Sequence, residues 1–327
     1  MSKPTSHANA TQRRAFSLPD LFWIIFIIAL LISILLPSLS RAREISKRAV
    51  CASNLRCIGQ GCKIYANDNY DYYPHHYFEV NEDASGPLPD HGVTWVGTMG
   101  SNEALRISER TAPDKSPRAS HPSRSLFMLI MDGTCTCKQF ICPSSRDKDD
   151  DLRNRGPDAD RPGGAVASMP GINRFDFRGY TSISYGYQLP YGPKARPTEY
   201  LDTRMVVMAD KGPYYEAGGE GLPGTETVRD RLSFISPPNG HSAEELLRWT
   251  PDQWRPHNSR MHRGEGQNVQ YADGHVVFEK KPCISVNFDN IYTIQRNHTL
   301  ADTMMGKVPG AHETIGPFTN TDSFIVP

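Results

Sequence analysis

Residues 21–36 form an uninterrupted run of sixteen side chains, all of them apolar except Ser33. As an α-helix, which rises about 1.5 Å per residue, this run alone is about 24 Å long. A helix counted from Phe16 has twenty-one residues, which is enough to cross a hydrocarbon layer of about 30 Å. A helix on the surface of a soluble domain keeps a polar side, but this run is apolar all round. The sequence therefore predicts insertion into a membrane.

The flanks of the apolar run leave its processing and its orientation open. A secretory signal peptide would have a shorter apolar core followed by a small-residue cleavage site, whereas this run leads through Pro37 into a pattern typical of a continuing helix. Basic residues lie on both sides of the run, so the positive-inside rule alone does not decide the orientation. Placing the carboxylate of Asp20 at the edge of an apolar helix costs free energy unless a cationic group pairs with it. An acid beside Pro19 also suits the start of a helix at the membrane interface.

The segment that leads into the run is Ala15-Phe16-Ser17-Leu18-Pro19-Asp20-Leu21. It resembles the processing and methylation segment of type IV pilins and type II secretion pseudopilins, Gly-Phe-Thr-Leu-Ile-Glu-Leu. The resemblance implies that a prepilin peptidase cuts between Ala15 and Phe16 and that the new amino terminus is N-methylated. It also implies that Asp20 takes the place of the glutamate that pairs with the terminal amine of a neighbouring subunit.

A second resemblance lies near the other end of the chain. Residues 262–276 read His-Arg-Gly-Glu-Gly-Gln-Asn-Val-Gln-Tyr-Ala-Asp-Gly-His-Val. They resemble the His-x9-Asp-Gly segment of bacterial prepilin-processing-associated proteins, with ten residues in place of nine between His262 and Asp273. Similar short stretches occur at residues 140–144, 184–187, 209–213 and 289–293. The resemblance implies a pilin-like architecture and an export route, and it transfers no catalytic residue.

The remaining patterns predict a mixed fold. One apolar stripe at three- and four-residue steps indicates that residues 38–70 continue the helix. Residues 204–210 form an apolar run typical of a central strand, and Asp273-Gly274 between two alternating segments is a strong hairpin signal. A short helix at residues 124–130 and a strand at residues 182–187 are also predicted. We therefore expect an α+β, pilin-like fold in which a long N-terminal membrane-spanning helix packs on an antiparallel β-sheet with long loops.

The predicted domain organisation has four parts. They are a leader peptide at residues 1–15, a transmembrane helix at residues 16–37, a helix continuation at residues 38–70, and a loop-rich, mostly β globular domain at residues 71–327. The 26 glycines and 26 prolines of the chain fit the many turns and loops expected in the last part.

His262, Asp273 and His275 are the candidate metal ligands. Histidine and aspartate are common metal ligands, and a hairpin can present such side chains together. A purely structural role requires no third ligand and no bound ion. Asp273-Gly274 then supplies the turn geometry, and His262 hydrogen-bonds across the preceding loop.

The seven cysteines leave at least one thiol unpaired within the chain. Cys135-x-Cys137-x4-Cys142 is the densest group, and a packing or disulfide role there competes with a metal or redox role. If this region is exported, a disulfide between one of these three and Cys283 is one alternative, and the sequence does not give the connectivity. Cys51 and Cys62 are eleven residues apart and share a face near the apolar stripe of the helix, where a packing role is expected for both.

Composition and motifs narrow the function. The chain has 36 basic and 36 acidic residues, so it has no net positive charge that would attract nucleic acid. The sequence has no P-loop, no nucleophile elbow and no zinc-peptidase motif. We therefore expect that the protein is not an enzyme and carries no cofactor, although a hydrolase using His262, Asp273 and His275 is a remaining third class.

The expected function is that of a pseudopilin-like structural subunit, or accessory protein, of a secretion or surface-filament system. It would assemble through its N-terminal helix, with the membrane, a prepilin peptidase, and other copies or other pseudopilins as partners. The expected location is the inner membrane, with a single span and an extracytoplasmic C-terminal domain, or a periplasmic or surface filament. The alternative is a membrane-anchored extracytoplasmic module that binds a glycan, peptide or cation without forming filaments.

Overall fold

A computed structural model describes residues 18–75, 93–95, 119–120, 122–150, 152, 177, 180–190, 194–216, 231–309 and 314–326 of the 327-residue chain. The chain divides into two compact units, Met1–Ser46 and Lys47–Pro327. The first helix, α1 (Leu18–Asp68), contributes to both of them.

Helix α1 continues through Pro37 without interruption, so the predicted continuation of the helix beyond the apolar run is confirmed. A proline removes one backbone hydrogen bond from a helix interior, and the helix nevertheless continues on both sides of Pro37. The helix ends at Asp68. Tyr70 and Asp71 have φ values of 55° and 64°, and this left-handed backbone is incompatible with a further right-handed turn.

In the unit Met1–Ser46, the apolar side chains of α1 are exposed. Every large hydrophobic residue from Leu18 to Leu39 has at least 40 % of its surface accessible. This part of α1 is long and apolar enough to cross a membrane, which suits either a membrane anchor or a signal sequence.

The unit Lys47–Pro327 is built around one antiparallel sheet. Its strands are β3 (Tyr185–Gln188), β4 (Val206–Asp210), β7 (Gln267–Tyr271), β8 (Val276–Glu279) and β10 (Ile325–Val326). The five strands lie in the order β10–β3–β4–β7–β8, and each neighbouring pair is antiparallel. The predicted central strand is β4 and the predicted Asp-Gly hairpin is β7–β8, so both predictions are confirmed, as is the α+β class.

Both faces of this sheet are covered, because β3 and β4 are buried at every position. The second half of α1 supplies Leu55 and Ile58 to one core, which also contains Phe127. A separate core contains Val269 of β7 and Tyr292 from the C-terminal segments. A strand buried on both faces has little need of alternating polar residues, which explains why the segment containing β4 reads as a continuous apolar run.

A β-bulge in β4 determines which side chains face α1. The pairing register with β7 shifts between Val206 and Met208. Val207 and Met208 consequently belong to the core beneath α1, whereas Val206 and Ala209 belong to the opposite core. Side chains alternate again beyond the bulge, so the last residue of the strand, Asp210, lies on the same face as Met208.

Shorter elements surround the sheet. The remaining α-helices are α2 (Pro122–Met131), α3 (Ala243–Arg248), α4 (Pro251–Trp254) and α5 (Leu300–Met305). Turns of 3-10 helix occur at Cys137–Phe140, Tyr180–Ser182, Arg255–His257, His262–Gly264 and Val286–Phe288. A three-stranded sheet contains β1 (Val93–Trp95), β2 (Ala119–Ser120) and β9 (Thr314–Ile315) in the order β2–β1–β9, and β5 (Tyr215–Glu216) pairs with β6 (Arg231–Leu232).

Two predicted elements are found close to their expected positions. The helix predicted at residues 124–130 lies within α2. The strand predicted at residues 182–187 begins later, at Tyr185, because the chain before it forms the 3-10 turn Tyr180–Ser182.

Candidate functional site

Four buried side chains meet on the α1 side of the central strand. Cys51 comes from the second half of α1, Cys142 follows the turn Cys137–Phe140, Asp210 ends β4, and His262 begins the turn His262–Gly264. Their potential ligand atoms all lie within 4.8 Å of one another. Among the described residues, this is the one group of three or more His, Cys, Asp or Glu ligand atoms that lie so close together. We refer to these four residues as the buried cluster.

A disulfide joins the two cysteines of the buried cluster. Cys51 and Cys142 have Cα atoms 5.3 Å apart and are separated by 91 residues in the sequence. The Sγ atom of Cys142 lies 3.6 Å from Nε2 of His262. The same nitrogen lies 3.4 Å from Oδ2 of Asp210, so the imidazole stands between the disulfide and the carboxylate.

The backbone around His262 is unusual. His262 and Arg263 have φ values of 51° and 62°, and the left-handed region costs a residue other than glycine about 1–2 kcal/mol. Gly266 follows with φ 155°, and a Cβ atom there would lie only 2.2 Å from the carbonyl oxygen of Glu279 on β8. The loop therefore needs a glycine to approach β8, and it holds the imidazole of His262 in a fully buried position. Backbone strain of this kind is concentrated at functional sites.

Asn268, the second residue of β7, links the imidazole to the carboxylate. Its backbone N–H donates to Oδ2 of Asp210 at 2.7 Å. Its side-chain Nδ2 lies 3.1 Å from Nε2 of His262. Asn268 therefore contacts both the carboxylate and the imidazole ring.

Asp210 is electrostatically unusual. Complete burial raises the pKa of its carboxyl group to about 6, against the opposing effects of His262 and of the Asn268 hydrogen bonds. The second carboxylate oxygen, Oδ1, is also buried and has no hydrogen-bond partner. A buried polar atom without a partner is uncommon in a folded protein and calls for an explanation.

A cleft of about 690 Å³ lies in the unit Lys47–Pro327. Its lining includes Ser144, Lys211 and Met261, which are near neighbours in the sequence of Cys142, Asp210 and His262. Within it, Nζ of Lys211 lies 2.9 Å from Oδ2 of Asp147 in a largely buried ion pair.

The other two predicted ligands lie at the tip of the β7–β8 hairpin. Nδ1 of His275 is 2.5 Å from Oδ1 of Asp273, and both side chains are almost half exposed. Burial alone would raise the pKa of Asp273, but the hydrogen bonds from the His275 amide and ring outweigh it and lower this pKa. The His275 ring stacks on Tyr271 at a centroid distance of 4.4 Å. All three residues line a groove of about 680 Å³.

The structure therefore divides the three candidate metal ligands. His262 belongs to the buried cluster, whereas Asp273 and His275 pair with each other at the hairpin tip. The turn there uses Gly274, which has φ 96° and donates its N–H to the Tyr271 carbonyl at 2.8 Å.

The predicted processing and assembly residues fall at the edge of the described chain. Ala15 and Phe16 lie outside the described residues. Asp20 lies in the first turn of α1, and its side chain is not among those that the structure describes.

The structure decides between the alternatives that the sequence leaves open for the cysteines. Cys142 pairs with Cys51 and not with Cys283. The packing role expected of Cys51 and Cys62 is confirmed, because both are fully buried in one core, and Cys51 forms the covalent link in addition. Cys283 is a free, buried thiol whose Sγ lies 3.5 Å from the Met304 carbonyl oxygen. The physical reason is that α1 passes next to the loop that carries Cys142, a tertiary contact that helical periodicity does not reveal.

Sequence reasoning missed Asp210 and Asn268 as site residues. An acid at the end of an apolar, fully buried strand is the signal that could have identified Asp210. Three stretches that resemble the prepilin-processing-associated proteins, at residues 140–144, 209–213 and 262–276, each supply one residue of the buried cluster. Asn268 lies within the last of these stretches.

No protein-family model matches the chain, and no curated protein or solved structure is significantly similar to it.

Proposed function

We propose that this chain is a pilin-like structural subunit of the pseudopilin class, which assembles through the first half of α1. One observation carries the proposal. The first half of α1 exposes large apolar side chains on every side, and the same helix continues without a break into a segment that packs in the core of the other unit.

The exposed half of α1 requires an apolar environment. Burying one large aliphatic or aromatic side chain contributes roughly 1.5–3 kcal/mol, so a helix exposing a long series of them is unfavourable in water. A membrane satisfies this requirement for a single chain. In a filament, the same surface is covered by the helices of neighbouring subunits, which pack laterally.

Processing supplies the second part of the mechanism. A prepilin peptidase cuts between Ala15 and Phe16 in the inner membrane, and the new Phe16 amine becomes methylated. Asp20 then pairs with this amine on a neighbouring subunit, because a carboxylate at the edge of an apolar helix needs a cationic partner. A signal-peptidase cut just after residue 36 would fall inside a continuous helix, which favours retention of the apolar half.

The Cys51–Cys142 disulfide supports placing the unit Lys47–Pro327 outside the cytoplasm. Disulfides form and persist in oxidising compartments and are rare in the bacterial cytosol. This placement gives a single-pass protein with its globular unit in the periplasm or on the surface.

The groove at the hairpin tip favours a second candidate, an anchored module that binds a glycan, peptide or cation without forming filaments. The groove of about 680 Å³ presents Arg204, Asp273, His275 and Glu279 together with Tyr271. Charged and aromatic side chains around one concave surface suit a polar ligand.

Mass spectrometry of the mature amino terminus from native membranes tests the processing step. We expect a chain that starts at an N-methylated Phe16. An intact Met1 would favour the anchored module, and a start well beyond Pro37 would identify an ordinary signal peptide and overturn the proposal.

Site-directed cross-linking between copies in membranes tests assembly. We expect Asp20→Ala to abolish cross-linking along residues 16–36, because the Phe16 amine of the neighbour loses its partner. Asp68→Ala is the matched control, because it removes the same side chain from the far, exposed end of α1 and should leave cross-linking unchanged. A chain that stays monomeric and responds equally to both substitutions would favour the anchored module.

A further inference from the structure

We infer that the buried cluster is a redox-gated metal site, in which Cys51, Cys142, Asp210 and His262 bind one zinc ion when the disulfide is reduced. The inference concerns the unit Lys47–Pro327 alone and is independent of filament membership. Two thiolates, one imidazole and one carboxylate form a donor set that zinc accepts in tetrahedral geometry.

The geometry of the cluster suits such a site. Zinc bonds of about 2.3 Å to sulfur and about 2.0–2.2 Å to nitrogen and oxygen place tetrahedral ligand atoms about 3.3–3.8 Å apart. The four ligand atoms already lie within 4.8 Å of one another, and Nε2 of His262 is 3.6 Å from Sγ of Cys142. Breaking the disulfide would let the two sulfur atoms separate to the spacing that zinc requires.

The unpartnered oxygen of Asp210 points to a ligand independently of the cysteines. Oδ1 is fully buried and has no hydrogen-bond partner, whereas Oδ2 accepts the Asn268 N–H at 2.7 Å. This division is typical of a monodentate carboxylate ligand, which binds the metal through one oxygen while an outer hydrogen bond orients the other. Nε2 of His262 lies 3.4 Å from Oδ2 of the same carboxylate and 3.6 Å from Sγ of Cys142, so the nitrogen, the carboxylate and a sulfur atom already converge.

The redox step balances with a dithiol as the reductant. The dithiol transfers two electrons to the Cys51–Cys142 bond, the S–S bond breaks, each sulfur takes one proton, and the dithiol becomes a cyclic disulfide. Zinc binding then displaces these two protons, because cysteine coordinates as the thiolate. In the oxidised chain both sulfur atoms are used in the covalent bond, so the donor set is incomplete.

The ion and the reductant must reach ligands that are buried in the oxidised chain, and a cleft of about 690 Å³ is lined by sequence neighbours of three of them. Ser144, Lys211 and Met261 line it, and each lies within two residues of a proposed ligand. The consequence for the fold is that α1 remains tethered to the loop after the turn Cys137–Phe140 and to the central strand in both redox states. The tether is covalent when the chain is oxidised and metal-mediated when it is reduced.

Zinc analysis of the intact, detergent-solubilised chain tests this inference. The chain is divided into an oxidised sample and a sample reduced with a water-soluble phosphine, and both are equilibrated with zinc and then desalted. We expect about one zinc ion per reduced chain and none in the oxidised chain. Cobalt added to the reduced chain should give the near-ultraviolet absorption band of thiolate-bound cobalt. A reduced chain without zinc, or an oxidised chain with as much zinc as the reduced one, would overturn the inference.

Substitutions assign the ligands. Asp210→Asn keeps the shape of the side chain, and we expect it to weaken zinc binding at least about 10-fold, with circular dichroism confirming that the variant is folded. The control is Cys57→Ser with Cys135→Ser, which removes two free thiols outside the cluster and should leave zinc binding unchanged. Zinc lost in the control and retained in a Cys51→Ser, Cys142→Ser variant would place the metal elsewhere and contradict the assignment.

Discussion

The two halves of α1 belong to one continuous helix but have opposite environments. From Leu18 to Leu39 every large apolar side chain is at least 40 % exposed. In the second half, Cys51, Leu55 and Ile58 have no exposed surface at all. The first half is apolar on every side, whereas the second half has one apolar stripe that packs in the core of the unit Lys47–Pro327.

Helix formation and helix burial have separate causes in α1. The backbone hydrogen bonds and residue propensities of both halves favour a helix, as its uninterrupted course through Pro37 indicates. The second half packs against apolar partners of its own unit, Lys47–Pro327. A stripe is sufficient for packing on one side, whereas an all-apolar surface needs an environment that covers every side.

The disulfide is the strongest link between the second half of α1 and the rest of its unit. Replacing both Cys51 and Cys142 by serine should lower the free energy of unfolding by about 4 kcal/mol, because the cross-link restricts a long loop of the unfolded chain. The 91-residue separation of the two cysteines makes this loop long. Urea unfolding of the metal-free chain in detergent, followed by near-ultraviolet circular dichroism, measures the loss.

The matched control for this prediction is Cys57→Ser. Cys57 lies on the same helix and is a free, half-buried thiol, so its replacement should change the free energy of unfolding by less than about 0.5 kcal/mol. Equal losses in the two variants would show that the disulfide does not tether α1 to the rest of its unit.

The elements that the sequence predicts well have local causes. The apolar run and its helical continuation follow from neighbouring residues, and Asp273-Gly274 alone specifies the hairpin. The strand β10 is different, because Ile325–Val326 is too short to carry an alternating pattern. It is a strand only because β3 offers it an edge with which to pair.

The buried cluster could be predicted only in part, because its causes are not local. The sequence predicts His262 as a candidate metal ligand, but it predicts the wrong neighbours for it, Asp273 and His275, which are the nearest such residues along the chain. Its actual neighbours, Cys142 and Asp210, lie 120 and 52 positions earlier in the chain. The bulge between Val206 and Met208 also sets the face on which Asp210 lies, and no residue pattern marks that bulge.

A pair of leucine substitutions compares the two halves of α1 directly. Leu55→Ala should lower the free energy of unfolding by about 3 kcal/mol, because it removes three buried carbon atoms and leaves a cavity in the core beneath α1. Leu31→Ala makes the same chemical change in the first half, where the side chain is 55 % exposed. It should leave the unfolding of the globular unit unchanged when both variants are measured in detergent with urea.

The outcome that would contradict this prediction is an equal loss in both variants. Such a result would mean that the first half of α1 is buried against its own chain in solution. The requirement for a membrane or for neighbouring helices would then disappear, and the proposed assembly mechanism with it.

The smallest expected effect concerns an ion pair close to the start of the second half of α1. Arg48 bonds to Glu265 through its guanidinium, and the same group lies over the Phe278 ring at 4.2 Å from its centroid. Arg48 is 19 % exposed and Glu265 is 46 % exposed, so water screens the charges, and the coupling energy should be below about 1 kcal/mol.

A double-mutant cycle measures this coupling, with Arg48→Met to retain packing on Phe278 and Glu265→Gln to remove the negative charge. The coupling should decrease further in high salt, because a solvent-accessible pair is screened within about 10 Å at moderate ionic strength. A coupling that is large and independent of salt would instead show that Glu265 is held rigidly against the helix. Since Glu265 follows the left-handed turn that positions His262, the ion pair would then stabilise the buried cluster as well as α1.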